Sequence, residues 1–196
     1  MRFIQSFSII LLLLFNSGSS FAQRLQKLDD EIMIDLQNQR TPKKTGFFLF
    51  LSNTNGYGDM GVPAGLLVAG AISNDKGMRE NAAFVASSTA ISFGVTLLLK
   101  RIIKRPRPFI QNLNIVPVYR AGSTSFPSGH TSTAISTATA LSMAYPKWYV
   151  IAPAFLWAGS VGYSRMYLGV HYPTDVATGA AVGVGSALSM SFLKVR

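Results

Sequence analysis

Residues 125–145 read SFPSGHTSTAISTATALSMAY. After His130 the stretch carries no charged residue, and small Ser, Thr and Ala side chains dominate it. Apolar and polar residues do not alternate regularly here, so the pattern does not favour a strand. Pro127 and Gly129 mark a turn immediately before the uncharged run. We therefore predict a helix that begins near His130 and packs tightly inside a helical bundle.

Further uncharged runs of helical length flank this one on both sides. The chain of 196 residues is 48% hydrophobic but only 13% charged, whereas a soluble domain carries about 25% charged residues. The composition therefore predicts an all-α fold, a multi-helix transmembrane bundle with about five membrane helices. A soluble helical bundle remains the alternative, because several runs are shorter than the roughly 20 residues that a span needs. The five runs are residues 60–73, 82–99, 131–145, 148–163 and 176–193.

The amino terminus has the organisation of an export signal. Arg2 gives a positive start, an apolar run follows that is densest over residues 9–15, and Ser20-Phe21-Ala22 fits a small-x-small cleavage site. We predict a signal peptide over residues 1–22, or a retained first transmembrane helix. Either outcome places Gln23 outside the cytoplasm. Residues 23–196 are then expected to form a single domain.

The most polar stretch, residues 23–45, is predicted to contain an amphipathic helix that ends at Thr41-Pro42. It would lie on the membrane or against the bundle; an ordinary packing helix with a solvated acidic face explains the pattern equally well. The apolar positions are Leu25, Leu28, Ile32 and Leu36, and the acidic ones are Asp29, Asp30 and Glu31.

The basic residues indicate how the chain is oriented. With Gln23 outside, counting five crossings places at least one Lys or Arg in every inner connection, as membrane proteins prefer. The net charge is +10, and five of the 18 basic residues fall within residues 100–107 on the outer side. A bound anion would explain such a cluster on that side. The inner basic residues are Lys76, Arg79, Lys147, Lys194 and Arg196.

Three groups of polar residues fall at outer ends of the predicted spans. Lys100 precedes Arg107-Pro108 by six residues, and Pro127-Ser128-Gly129-His130 opens an uncharged helix. A helix amino terminus offers free N–H groups and a positive dipole end, which favour a phosphate. The third group is Ser164-Arg165, His171 and Asp175, with Asp175 in the first turn of the last helix, where it can orient His171.

These three groups resemble the three-part signature of the type 2 phosphatidic acid phosphatase superfamily, which also includes soluble bacterial acid phosphatases and vanadium haloperoxidases. All 11 specified residues occur in order between residues 100 and 175. The resemblance implies that His171 is the nucleophile, that Asp175 orients it, and that His130 is first a general acid and then a base. It also implies that the phosphoryl oxygens are held by Lys100, Arg107, Ser128, the Gly129 N–H and Arg165.

The resemblance implies no cofactor, and the sequence displays no cluster of metal ligands, so we expect metal-independent catalysis by these cations. The chain has no cysteine, which excludes disulfides, thiolate metal sites and cysteine nucleophiles. Lys104 and Arg105 occupy unspecified positions of the first group, and we interpret them as headgroup-binding or packing residues. Arg120 is interpreted as a solvated loop residue.

The leading hypothesis is a lipid phosphate or diphosphate phosphatase, multi-pass in the cytoplasmic (inner) membrane, with its active site facing the periplasm or exterior. Its partners would be the lipid substrate and membrane lipids. Nucleic acid is not expected, because the basic residues divide between both membrane faces and lack interleaved aromatic residues. The alternatives are a soluble periplasmic acid phosphatase of broad specificity and a non-catalytic membrane protein that binds phospholipid.

Overall fold

The computed structural model describes residues 21–195, and every regular element within that range is helical. Nearly all of the predicted signal segment therefore lies outside the described residues. The elements are α1 (21–38), α2 (Pro42–Ile72), α3 (Lys76–Ile103), α4 (Pro108–Gln111), α5 (Gly129–Ala144), α6 (Trp148–Tyr167) and α7 (Pro173–Ser189), followed by a short 3₁₀ turn at Ser191–Leu193.

The five predicted uncharged runs are confirmed as helices, but α2 is much longer than its apolar run suggested. It starts at Pro42, where the Thr41 hydroxyl accepts a hydrogen bond from the backbone N–H of Lys44 at 3.3 Å. A proline at the first helical position behind a threonine cap is a favourable start. The part of α2 before residue 60 has a low hydropathy because it contains polar residues such as Asn55 and Asp59, which face the interior of the bundle.

Helix α5 lies in the centre of the bundle, as its small residues predicted. It packs antiparallel against α3 through hydroxyl contacts: Thr96 and Ser132 are 2.8 Å apart, and Thr89 and Thr137 are also 2.8 Å apart. A helix interface made of small polar residues brings the two backbones close together. This closeness fixes how α5 presents its amino terminus at the end of α3.

Helices α5 and α7 run parallel and touch through glycine. A Cβ at Gly179 would lie 2.7 Å from the carbonyl oxygen of Ser128, and one at Gly183 would lie 2.5 Å from that of Ser132. Only glycine fits both positions without a shift of backbone. The register places the amino termini of α5 and α7 side by side.

Helix α1 is present as predicted, but it ends at residue 38, three residues before the predicted end. Of the predicted apolar positions, Leu36 is buried, whereas Leu25, Leu28 and Ile32 face outward. The buried side also includes Met33 and Asp29, and the Asp29 carboxylate has a cationic partner elsewhere in the chain. The acidic face is therefore not wholly solvated.

By length and composition, one helical segment among the described residues could cross a membrane. It lies within Lys76–Gln111, where a window of 18 residues has a mean hydropathy of 1.8. Helices α5 and α7 are shorter, with 16 and 17 residues. The helical class of the prediction is confirmed.

Candidate active site

All three sequence groups meet at one end of the bundle. Lys100 lies in the last turn of α3, and Arg107 directly precedes α4. Ser128, Gly129 and His130 form the start of α5. The third group joins them from the end of α6 and the start of α7: Arg165 in the last turn of α6, His171 in the connection, and Asp175 in the first turn of α7.

The ring of His171 is buried between a cation and an anion. Its Nε2 lies 3.3 Å from Nη1 of Arg107, and its Nδ1 lies 3.7 Å from Oδ2 of Asp175. A guanidinium only donates hydrogen bonds, so this contact leaves the lone pair on Nε2 and the proton on Nδ1. Burial, reinforced by Arg107 and Arg165, lowers the pKa of His171 to about 3. The ring is therefore neutral near pH 7.

Asp175 has no exposed surface, yet its carboxylate is well supplied with donors. Oδ2 accepts from the backbone N–H of Tyr172 at 3.0 Å and from the hydroxyl of Ser125, and Oδ1 accepts from Arg105 at 2.8 Å. Burial raises the pKa of Asp175, but His171, Ser125 and Arg105 outweigh it and hold the pKa below the ordinary value. The carboxylate is thus charged and fixed in place.

Two of these contacts were missed by the sequence interpretation. Arg105 is not a headgroup-binding residue: it forms salt bridges of 2.8 Å with both Asp29 and Asp175. Ser125 lies outside the three sequence groups. A basic run before Arg107 was the available signal for Arg105, whereas nothing local in the sequence distinguishes Ser125 from other loop serines.

The cations from the sequence groups have no carboxylate partner within residues 21–195. Lys100 Nζ donates to the carbonyl of Thr124 at 2.6 Å, and Arg107 Nη2 donates to that of Gly122 at 2.7 Å. Arg165 is 2% exposed; it donates to Ser52, and its buried Nε has no partner in this part of the chain. Buried positive charge without a counter-ion is costly, so the site is built to receive an anion.

His130 lies at the open side of this cluster. Burial, and then the positive charges of Arg165, Arg107 and Lys100, lower the pKa of His130 to about 4. Its ring makes no side-chain hydrogen bond to residues 21–195, and it lines both an apolar groove and a second cavity of about 740 Å³. The ring is therefore available to a ligand.

The start of α5 leaves room beside its backbone. Ser128 Oγ accepts from Thr131 at 2.8 Å, so its own proton remains for another acceptor. At Gly129 a Cβ would meet only Thr96, at 3.7 Å. Glycine is thus not demanded by packing there, and the space beside it belongs to a cavity that Lys100 and His130 also line. Among the described residues, no three His, Asp or Glu side chains come together as a metal-binding group.

An apolar groove of about 880 Å³ leads away from the site between α2, α3 and α5. Its polar end is formed by Lys100, Gly129 and His130. The remaining wall is mostly apolar and includes Met60, Pro63, Ala64, Leu67, Ala86, Ala90, Phe93 and Leu97. A mostly apolar groove therefore begins beside Lys100, Gly129 and His130.

Two solved structures resemble the whole bundle. LpxE of Aquifex aeolicus superposes with a TM-score of 0.68 at 29% identity, covering 82% of this chain and 92% of that one. A transmembrane PAP2-type phosphatidylglycerolphosphate phosphatase of Bacillus subtilis superposes with a TM-score of 0.67, covering 94% of this chain and 93% of that one. At 22% identity the second likeness shows the fold alone.

Curated relatives match over somewhat more than half of the chain. Decaprenylphosphoryl-5-phosphoribose phosphatase of Mycolicibacterium smegmatis is 35% identical over 114 residues, which is 58% of this chain and 60% of that protein. The chain spans about half to three-fifths of the length of the first curated relatives it matches. The family model described as the PAP2 superfamily matches residues 81–194, more than half of the chain and all three sequence groups. The resemblance inferred from the motifs is thereby confirmed: the chain belongs to the PAP2 superfamily.

Proposed function

We propose that the protein is a metal-independent phosphatase that hydrolyses a lipid phosphate or diphosphate through a phosphohistidine. The observation that carries the proposal is the set of cations, Lys100, Arg107 and Arg165, which surround two neutral histidines without a carboxylate partner within residues 21–195. A transferring phosphoryl group spreads negative charge over its equatorial oxygens. Preorganised cations and helix amino termini stabilise that charge.

In the first step His171 Nε2 attacks phosphorus, and the bond from phosphorus to the leaving oxygen breaks. Arg107 exchanges its contact with Nε2 for the phosphoryl oxygens as the substrate enters. His130 takes up a proton when the substrate phosphate neutralises the surrounding cations. It donates that proton to the leaving oxygen, so that an alcohol, or a phosphate from a diphosphate, departs. The phosphorylated ring of His171 keeps its proton on Nδ1, and the charge of Asp175 stabilises it.

In the second step water attacks the phosphohistidine. His130, now neutral, takes a proton from that water, the bond between Nε2 and phosphorus breaks, and inorganic phosphate forms. His171 returns to its neutral form with the lone pair on Nε2. Ser128 and the Gly129 N–H hold the oxygens throughout, since the hydroxyl proton of Ser128 is left for another acceptor and Gly129 lines the cavity at the start of α5.

The apolar groove is the reason to favour a lipid substrate. We assign the hydrocarbon chain of the substrate to it, because the groove ends at Lys100 and His130, where the phosphate would sit. A phosphate on a lipid could then react while its chain stays in an apolar environment. The Mycolicibacterium relative, named for a lipid-linked phosphoribose phosphate, is consistent with this class of substrate.

The outer surface of the helices supports a membrane location. Large apolar side chains point outward on several helices, whereas Ser, Thr and Ala fill the interior around α5. Lipid would cover such a surface, and water would not. The exposed residues include Phe50, Leu67 and Ile72 on α2, Phe93 and Leu98 on α3, Leu156 on α6 and Leu188 on α7.

The proposed orientation places the active site at the outer face of the inner membrane. Single cysteines test it, because the native chain contains none. Arg120→Cys lies at the site end and Lys147→Cys at the opposite end, and both positions are exposed. An impermeant thiol reagent should label position 120 in intact cells and position 147 only after lysis. The reverse pattern would overturn the orientation.

Turnover on a panel of substrates tests the function itself. In common micelles, kcat/KM should be about tenfold higher or more for one of undecaprenyl diphosphate, phosphatidylglycerol phosphate or phosphatidate than for p-nitrophenyl phosphate. Activity should survive EDTA and be inhibited by vanadate. A tenfold preference for the small ester would favour the soluble acid phosphatase. Lipid binding without turnover would favour a non-catalytic protein.

The groove assignment has its own matched test. Ala86 lines the groove on α3, and Ala152 lies on the exposed face of α6 away from it. Ala86→Phe should lower kcat/KM for the lipid about tenfold, because the ring occupies the path of the chain, and should spare p-nitrophenyl phosphate. Ala152→Phe should change neither. Equal losses for both substrates with Ala86→Phe would contradict the assignment.

A further inference from the structure

We propose that Asp29 and Arg105, neither of which belongs to the three sequence groups, are positioning residues that set the Asp175–His171 pair, so that the amino-terminal helix α1 is part of the active site. The inference rests on the proposed phosphohistidine chemistry for its kinetic expectations. Its structural content rests on contacts alone.

Arg105 holds two carboxylates at once. Nη1 donates to Oδ1 of Asp175 and Nη2 donates to Oδ2 of Asp29, each at 2.8 Å. The same guanidinium lies 4.0 Å above the ring centre of Tyr172 and also donates to Thr174 Oγ1 at 2.7 Å. These contacts hold the planar guanidinium of Arg105 in one orientation. The guanidinium therefore fixes the position of Oδ1 of Asp175.

Asp29 completes the arrangement from α1. It is 2% exposed, and its Oδ1 accepts from the backbone N–H of Thr174 at 3.0 Å. That N–H belongs to the first turn of α7, so the carboxylate of α1 caps the helix that carries Asp175. The cap joins residues 145 positions apart in the chain.

The charge balance explains why two carboxylates share one arginine. A lone Arg105–Asp175 pair would cancel the charge that must support a phosphorylated His171. With Asp29 included, the three side chains carry one net negative charge, and Asp175 remains able to act on the imidazole. Oδ2 of Asp175 faces His171, and Arg105 donates to Oδ1 instead. The donors to Oδ2 are the Ser125 hydroxyl and the Tyr172 N–H.

The variants follow from this arrangement. Arg105→Met releases Asp175, and Arg105→Lys keeps the charge without the fork. Asp29→Asn removes the second carboxylate and leaves the site cations untouched. Matched controls are Lys104→Met, an equal loss of charge at the exposed neighbour, and Glu31→Gln, an equal loss on the solvated side of α1.

The kinetic readout separates positioning from binding. We expect kcat to fall about 10- to 100-fold in Arg105→Met and about tenfold in Asp29→Asn and Arg105→Lys, with KM and vanadate inhibition changed less than threefold. Lys104→Met and Glu31→Gln should behave as wild type. The proposal is overturned if Arg105→Met and Arg105→Lys both keep wild-type kcat. It is also overturned if vanadate inhibition is lost in parallel with kcat in all three variants.

A spectroscopic readout stands apart from turnover. Only His130 and His171 contribute imidazole ¹⁵N signals, and His130→Gln leaves His171 alone. In that background we expect a single Nδ1–H tautomer at His171 and a mixture once Arg105→Met or Arg105→Lys is added, but not with Lys104→Met. An unchanged His171 tautomer in both Arg105 variants would contradict the inference. If the wild type hydrolyses no substrate of the panel, the proposed function fails while this measurement still decides the positioning role.

Discussion

The two histidines lie in contrasting surroundings. His171 is 2% exposed, with Arg107 on one ring nitrogen and Asp175 and Ser125 near the other. His130 faces the groove and makes no side-chain hydrogen bond to residues 21–195. The protein itself therefore fixes the orientation of the His171 ring. The His130 ring, by contrast, is left to contact the substrate.

This difference matches the two roles that we propose. A nucleophile benefits from a fixed tautomer and orientation, since misplacement costs rate directly. A general acid must instead gain a proton when the substrate is present and release it when the product leaves. Burial, and then the neighbouring cations, lower the pKa of His130, and a phosphate would neutralise the charge of those cations.

The largest effect on kcat is expected from substitution of His171. His171→Ala should lower kcat by about 10⁴-fold or more, because the proposed phosphohistidine can no longer form. Quenched reactions with ³²P-labelled substrate should trap an acid-labile label on the wild type and none on the variant. Near-normal turnover by His171→Ala would show that the nucleophile lies elsewhere.

A substitution of His130 should lower kcat by a factor that depends on the leaving group. His130→Asn should reduce kcat about 10²- to 10⁴-fold for a lipid phosphate, whose alkoxide needs a proton to depart. The loss should be much smaller for phosphorylation of the enzyme by p-nitrophenyl phosphate, since nitrophenolate leaves unprotonated. Burst-phase kinetics measure that step. Equal losses for both leaving groups would remove the general-acid role.

Titration of the two rings sharpens the comparison further. The pKa of His130, which is about 4, should rise when vanadate binds, because an anion stabilises the protonated ring. His171, whose pKa is about 3, should remain neutral at pH 5. Turnover should then decline as the pH rises above the pKa of His130 in the complex. NMR titration with and without vanadate measures the shift, with His130→Gln identifying the signal; an unchanged pKa would contradict the role.

The smallest effect concerns the contact that holds both rings at one end of the bundle. Gly183→Ala should destabilise the protein by about 1–3 kcal/mol, because its Cβ would meet the Ser132 carbonyl across α5 and α7. Gly185→Ala is the matched control, since a Cβ there meets no atom within 4 Å. Thermal unfolding in detergent compares them. Equal melting temperatures would mean that the helices separate at little cost.

Much of the site could be predicted because its residue types recur at short, fixed spacings. Helix starts at Gly129 and Pro173 follow from turn residues and uncharged runs, and these starts place His130 and Asp175 in first turns. Hydropathy did not predict helical segments that bury polar residues. The part of α2 before residue 60 was not predicted because polar residues such as Asn55 and Asp59 face inward.

The sequence by itself determined the helical class, the family and the eight residues expected to bind and transfer phosphate. These depend on local chemistry: periodicity, caps and spacing. Only the tertiary structure decided that Ser125 and Arg105 hold Asp175, and that Asp29 of α1 reaches Arg105 across 76 positions of chain. Such pairings arise when helices pack, because a buried carboxylate must meet whatever donor the fold brings to it, and no local pattern records that donor.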